Sequence, residues 1–139
     1  MSGKAKPRSK KVLIVDADFR TAQRLAMLLE DDGFEVEVVR DGAAAVARLA
    51  RDPTPGTLIT ELAVPLTDGE TIARYALAQD PRMQVIVLTR HPHLLVPARF
   101  PGRPPVVLTK PLDYARLLEV LRGFPGAEET SVRLASPGS

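Results

Sequence analysis

Residues 11–18 read KVLIVDAD, four apolar residues (Val12 to Val15) running without a break into Asp16. A strand with one wet face would alternate apolar and polar side chains. An unbroken run suits a strand buried on both faces, the condition of a parallel sheet with helices on either side. Asp18 then stands where a helix N-cap belongs. Ala22, Leu25, Ala26 and Leu29 follow at i, i+3, i+4 and i+7, and Gly33 comes next. That spacing predicts an amphipathic helix closed by a C′ glycine.

The same unit repeats down the chain. Phe34–Val39 reads as a second strand with Phe34, Val36 and Val38 on one face. Asp41 caps a second helix expected to reach about Arg51, broken by Asp52–Pro55. Thr57–Thr60 is a short third strand. After Pro65, the Asp68-Gly69 pair opens a helix to about Gln79, with Ile72, Ala73, Ala76 and Leu77 inward. Met83–Leu88 and Pro105–Leu108 are the fourth and fifth strands. Asp113 caps a last helix with Tyr114, Leu117, Leu118 and Leu121 inward, ended by Gly123. Alternation of this kind implies an α/β fold with a parallel sheet, right-handed crossovers and helices on both faces.

One connection breaks the pattern. Between the fourth and fifth strands stands TRHPHLLVPARFPGRPP, with Pro92, Pro97, Pro101, Pro104 and Pro105. A proline inside a helix costs about 3 kcal/mol and removes a hydrogen bond. The expectation is an irregular loop with at most one short turn, around His93–Val96. Leu94, Leu95, Val96 and Phe100 either fold inward over the sheet or form an exposed docking surface. His91 and His93 read as loop residues, since two histidines alone do not make a metal site.

Composition narrows the function. The 139 residues contain no cysteine, which excludes disulfide frameworks, thiolate metal sites and cysteine nucleophiles. Two histidines argue against zinc chemistry built on histidine clusters. Aromatics are only 4%, which argues against base stacking. No apolar run approaches the roughly 20 residues of a membrane span. Residues 1–11 carry five positive charges and no negative one, so the net +2 reflects this lead-in, and the rest is slightly acidic. The organisation expected is a basic disordered tail over 1–10, a domain over 11–123 and a flexible tail over 124–139. The lead-in lacks the apolar core of a signal peptide, so a cytoplasmic protein is expected.

Doubly wound sheets bind ligands beyond the carboxyl ends of their strands. Asp16, Glu61, Thr89 and Lys110 fall at four such ends. Each alone is explained by a strand reaching the surface. Together, two acids, a hydroxyl and a lysine suit a cation and a phosphoryl group.

These segments resemble the receiver domain of bacterial two-component response regulators. KVLIVDAD, LITELAVPLTDG, VIVLT and VVLTKPL match its strand motifs in order, over about residues 11–123. The resemblance implies a flavodoxin-like, chemotaxis-regulator-like fold with strand order 2-1-3-4-5, its fourth helix here short or replaced by the proline-rich loop. It implies a cis peptide before Pro111. It places the phosphoacceptor at Glu61, the switch hydroxyl at Thr89 and the phosphate-binding lysine at Lys110. Magnesium ligation would fall to Asp16, Glu61 and the backbone carbonyl of Ala63.

The chain departs from that pattern, which makes it an atypical receiver. The acidic pair that closes the first strand is reduced to Asp16 followed by Ala17, and Asp18, one residue further, is better placed to cap the helix. Glu61 replaces the acceptor aspartate, and Val107 replaces the switch aromatic. Glutamate moves the carboxylate by roughly 1.5 Å. A misplacement near 1 Å can cost about 10²-fold in rate. Loss of an acid weakens magnesium, which demands near-ideal oxygen geometry, so no cofactor is expected beyond weakly held Mg2+. Glu61 either imitates a phosphorylated side chain by holding Lys110 and Thr89, or forms a plain ion pair.

The function expected is therefore a stand-alone, non-enzymatic receiver-like module, independent of phosphorylation, acting by protein contacts as a monomer or weak dimer. Its partner would be a histidine kinase or a downstream effector. No DNA-binding output is expected. The alternative is a response regulator that still accepts phosphate from a histidine kinase. A flavin-type ligand binder fits worst, because no glycine-rich phosphate loop follows the first strand.

Overall fold

The computed structural model describes residues 9–123, so the 124–139 tail and most of the basic lead-in lie outside the described residues. Five strands, β1 (Lys11–Val15), β2 (Glu35–Val39), β3 (Thr57–Glu61), β4 (Gln84–Thr89) and β5 (Val106–Thr109), alternate with α1 (Phe19–Asp31), α2 (Gly42–Leu49), α3 (Gly69–Gln79) and α4 (Tyr114–Arg122). Every strand pair is parallel, and the sheet order is β2-β1-β3-β4-β5. This is the doubly wound fold expected from the run at residues 12–15.

That run divides between two cores. Val12 and Ile14 pack with Leu25, Leu29 and Leu117 under α1 and α4. Leu13 and Val15 pack with Leu49, Ile72 and Met83 under α2 and α3. All four β1 side chains are at most 2% exposed. Period-two alternation thus feeds both faces, and each face is apolar.

Helix ends follow the capping residues. Asp18, Asp41, Asp68 and Asp113 each accept a backbone N–H from the first turn of their helix. At the C-terminus of α1 the Gly33 N–H bonds to the Glu30 carbonyl and the Phe34 N–H to the Leu29 carbonyl. This is a Schellman closure, and the Gly33 φ of 93° is the left-handed conformation it requires.

Several boundaries differ from the expectations. α2 stops at Leu49 instead of reaching Arg51. Arg48 supplies the reason: its buried guanidinium donates to the Arg51 and Pro53 carbonyls and to Glu37 on β2. Those bonds hold the 51–53 segment in a turn. α4 buries Val120 with Leu117 and Leu121 in the core it shares with α1, while Leu118 stays half-exposed.

The proline-rich connection forms two 3₁₀ turns, Pro92–Leu94 and Pro97–Arg99, where at most one was expected. Proline begins each turn, at a position whose N–H has no intrahelical acceptor. No α-helix forms, as the prolines require. Leu95 and Phe100 are each 5% exposed and join the α2/α3 core. Leu94 and Val96 point outward, 56% and 36% exposed. Two of the four apolar residues of this segment thus fold inward and two are exposed.

Candidate functional site

Asp16, Glu61, Thr89 and Lys110 meet beyond the carboxyl edge of the sheet. The parallel register sets their neighbours: Glu61 lies opposite Leu88 on β4, and Thr89 opposite Thr109 on β5. Lys110 follows Thr109 directly, with its N–H bonded to the Thr89 carbonyl at 2.9 Å. The Lys110–Pro111 peptide is cis. A second cis peptide, Asp52–Pro53, has no counterpart among the expectations.

Lys110 is the hub. Its ammonium lies 2.5 Å from Glu61 Oε1 and 3.3 Å from Asp16 Oδ2. The remaining oxygens are also engaged. Asp16 Oδ1 accepts the Asp18 N–H at 2.9 Å, and Glu61 Oε2 accepts the Leu62 N–H at 2.9 Å. All three side chains are largely buried. Burial pulls the Lys110 pKa down, but the Glu61 hydrogen bond and the Asp16 charge outweigh it and hold the ammonium above its ordinary value.

The other candidates point elsewhere. Asp18 is exposed and spends its carboxylate on the Arg20 and Thr21 N–H groups and the Thr21 hydroxyl. Those hydrogen bonds keep its pKa below the usual carboxylate range. Thr89 is buried, and its hydroxyl oxygen accepts the His91 N–H at 3.0 Å. Its hydrogen-bond partner is the loop and not Glu61. Ala63 is exposed on the cleft wall, and Val107 is half-buried against the α2/α3 core.

The residues present fit a divalent cation poorly. A hard cation needs several free oxygen ligands. Here an ammonium already joins the two carboxylates, and the third acid caps α1. Among the described residues no group of three acids or histidines is arranged to hold a metal ion.

Two clefts flank the site. One, of about 500 Å³, lies over Glu61, Ala63, Asp68, Thr89, His91 and Arg99. The other, of about 460 Å³, runs between α1 and the segment after β5, past Asp16, Asp18, Lys110 and Tyr114. Arg90 borders both, and sequence reasoning missed it. Reasoning also missed the pair between Arg99 of the loop and Glu70 of α3, at 3.2 Å. The signal for that pair was a first-turn acid of α3 facing a loop rich in arginine. Gly69 fixes the floor: a Cβ there would collide with the Glu61 carbonyl oxygen, and its N–H bonds to the Leu62 carbonyl at 2.8 Å.

A parallel 2-1-3-4-5 sheet with an acid, a hydroxyl and a lysine at its carboxyl edge defines a receiver-type signalling module. The response regulator receiver domain family model matches residues 12–122, and the chain belongs to that family. It is 34% identical over 113 residues to a response regulator receiver protein of Anaeromyxobacter sp. (strain Fw109-5), an alignment covering 80% of this chain and 47% of that protein. The chain therefore spans about half the length of that relative. A response regulator receiver protein from Sinorhizobium medicae WSM419 superposes with a TM-score of 0.75 at 25% identity, over 86% of this chain and 97% of that one. The chemotaxis response regulator CheY4 of Vibrio cholerae has the same fold, with a TM-score of 0.71 at 23% identity over 83% and 98% of the two chains. This is a receiver domain of the two-component class. No helix among the described residues is long and apolar enough to cross a membrane.

Proposed function

We propose that this receiver domain signals through protein contacts and carries no phosphoryl group on Glu61. The observation that carries this reading is the ion triad. The Glu61 carboxylate is bound by the Lys110 ammonium on one oxygen and by the Leu62 N–H on the other. Phosphoryl transfer depends on an in-line acceptor and on neutralisation of developing charge. Here the acceptor carboxylate is tied down, the cation-binding acids are reduced to one besides Glu61, and Lys110 is occupied.

The Thr89 hydroxyl serves the His91 N–H, which favours a passive ion pair over imitation of a phosphorylated side chain. A phosphoryl group would also add nearly two negative charges where glutamate supplies one. Asp16, Thr89 and Lys110 then act as structural remnants of the pocket, and Asp18 as a helix cap. The working form is a cytoplasmic monomer or weak dimer that meets a histidine kinase or a downstream effector.

Radiolabelled acetyl phosphate with magnesium tests this. The wild-type chain takes up no label, whereas the double variant Ala17→Asp with Glu61→Asp, which restores both acids, does. An acyl-phosphate located on Glu61 by mass spectrometry overturns the reading.

A further inference from the structure

We propose that the outer face of α1 docks a second copy of this chain, the two α1 helices lying antiparallel. The inference deepens the reading that the domain works through protein contacts, because it names one of those contacts.

The face follows from helix geometry. Ala22, Leu25, Ala26 and Leu29 point α1 into the core. At about 100° per residue, Arg20, Arg24, Met27 and Asp31 fall in one stripe on the opposite side. All four are exposed, as are Gln23 and Glu30 at its margin. Met27 stands 63% exposed in the middle of the stripe, with Leu28 beside it at 40%.

The charges on this face are sorted by sign. Arg20 and Arg24 lie in the N-terminal half, and Glu30 and Asp31 are the last two residues of the helix. A helix favours anions at its N-terminus and cations at its C-terminus. α1 has no acid in its first turn and no base in its last. Its two arginines also stand four residues apart, a spacing at which like charges repel. None of the four charged side chains forms an ion pair among the described residues. The opposite charges next to each end are spent: Asp18 caps the helix and takes the Thr21 hydroxyl, and Arg122 sits on Asp32.

Turned end for end, the same order becomes complementary. A two-fold axis passing between Leu25 and Ala26 sets Arg20 level with Asp31 of the second copy. It sets Arg24 level with Met27 of the second copy, and Glu30 of the second copy between the two arginines. Each charged end then also meets the end of the other helix whose dipole it suits. The apolar stem of Arg24 covers the otherwise exposed Met27. Such a contact is isologous and closes at two copies. A parallel pair would instead set arginine on arginine and acid on acid, which costs affinity. The 13 residues of α1 span about 20 Å, so the interface is small and the dimer weak.

The test follows the full chain by sedimentation velocity from micromolar to millimolar concentration. Wild type should pass from monomer to dimer. About 1 M salt, which cuts the screening length to about 3 Å, should weaken that dimer. Arg20→Glu/Arg24→Glu and Glu30→Lys/Asp31→Lys each put like charges level with one another and should each raise the dissociation constant more than about tenfold. Mixed in equal amounts, the two variants face each other with opposite charges at both ends and should form a heterodimer. Amide shifts of wild type on dilution should centre on residues 19–31. Both variants replace exposed charges that oppose the helix dipole, so as dilute monomers they should melt no earlier than wild type. That separates loss of docking from loss of fold. A wild type that stays monomeric at millimolar concentration overturns the proposal, as does a dimer indifferent to either double variant. So do two variants that stay monomeric when mixed. Label on Glu61 in the acetyl phosphate experiment would overturn the phosphate-free reading and leave the sedimentation results standing.

Discussion

The Thr89 hydroxyl oxygen accepts the backbone N–H of His91 at 3.0 Å, so the last side chain of β4 fastens the start of the proline-rich connection. Thr89→Val keeps the shape and removes the acceptor. A net hydrogen bond is worth about 1 kcal/mol. The variant should lose about that much in urea denaturation, and exchange of the His91 amide should accelerate while the β4 amides stay protected. A stability equal to wild type would show that the bond contributes nothing.

Lys110 shares one positive charge between two largely buried carboxylates. Lys110→Met leaves Asp16 and Glu61 facing each other without a cation. Removal of one partner from a fully buried pair costs about 3–5 kcal/mol, so roughly 2–3 kcal/mol is expected for this partly solvated site. Adding Glu61→Gln should recover part of the loss, a coupling that a double-mutant cycle measures.

The same lysine sets an alkaline limit. Its pKa is raised in the folded chain, so its contribution is complete below the unfolded value of about 10.4 and disappears as pH climbs through the folded value. Tyr114 acts in the same direction. Burial and the Asp32 carboxylate, 2.7 Å from its hydroxyl, push its pKa far up. Wild type should lose stability from about pH 10 upward, and Tyr114→Phe and Lys110→Met should each flatten that decline in equilibrium denaturation across pH.

Gly69 is the tightest point of the pocket floor. Gly69→Ala drives a methyl into the Glu61 carbonyl, and backbone cannot step aside as a flexible side chain can. A loss of about 3 kcal/mol, the upper end for overpacking, is expected, with resonance shifts centred on Leu62 and Lys110.

Phe100 and Leu94 separate anchoring from exposure within one connection. Phe100→Ala opens a cavity at the edge of the α2/α3 core and should cost about 3 kcal/mol. Leu94→Ala should change stability by less than about 0.5 kcal/mol, as exposed positions do.

The fold was legible because its signals are local. The run at residues 12–15 and four aspartate caps declare strands and helix starts without reference to distant residues. The locations of Asp16, Glu61, Thr89 and Lys110 were legible for a related reason: parallel strands bring their carboxyl ends to one edge. Their orientations were not. Whether Thr89 turns toward Glu61 or toward His91 depends on the path of a connection that no periodicity describes. Arg48 shows the same limit. Its sequence neighbours announce a helix face, yet its guanidinium ends α2 early by bonding carbonyls three and five residues ahead. Val120 displaced Leu118 because the rotation of α4 about its axis is fixed by packing into the shared core, which spacing alone leaves open.

Arg48 has one more effect. β2 is an outer ribbon of the sheet, with hydrogen bonds on a single flank, and such margins ordinarily fray residue by residue. Here one fork grips β2 at Glu37 together with the tail of α2 and the bend at 51–53. Peeling back that margin means releasing every prong at once, so the selvedge of this sheet should open as a single block.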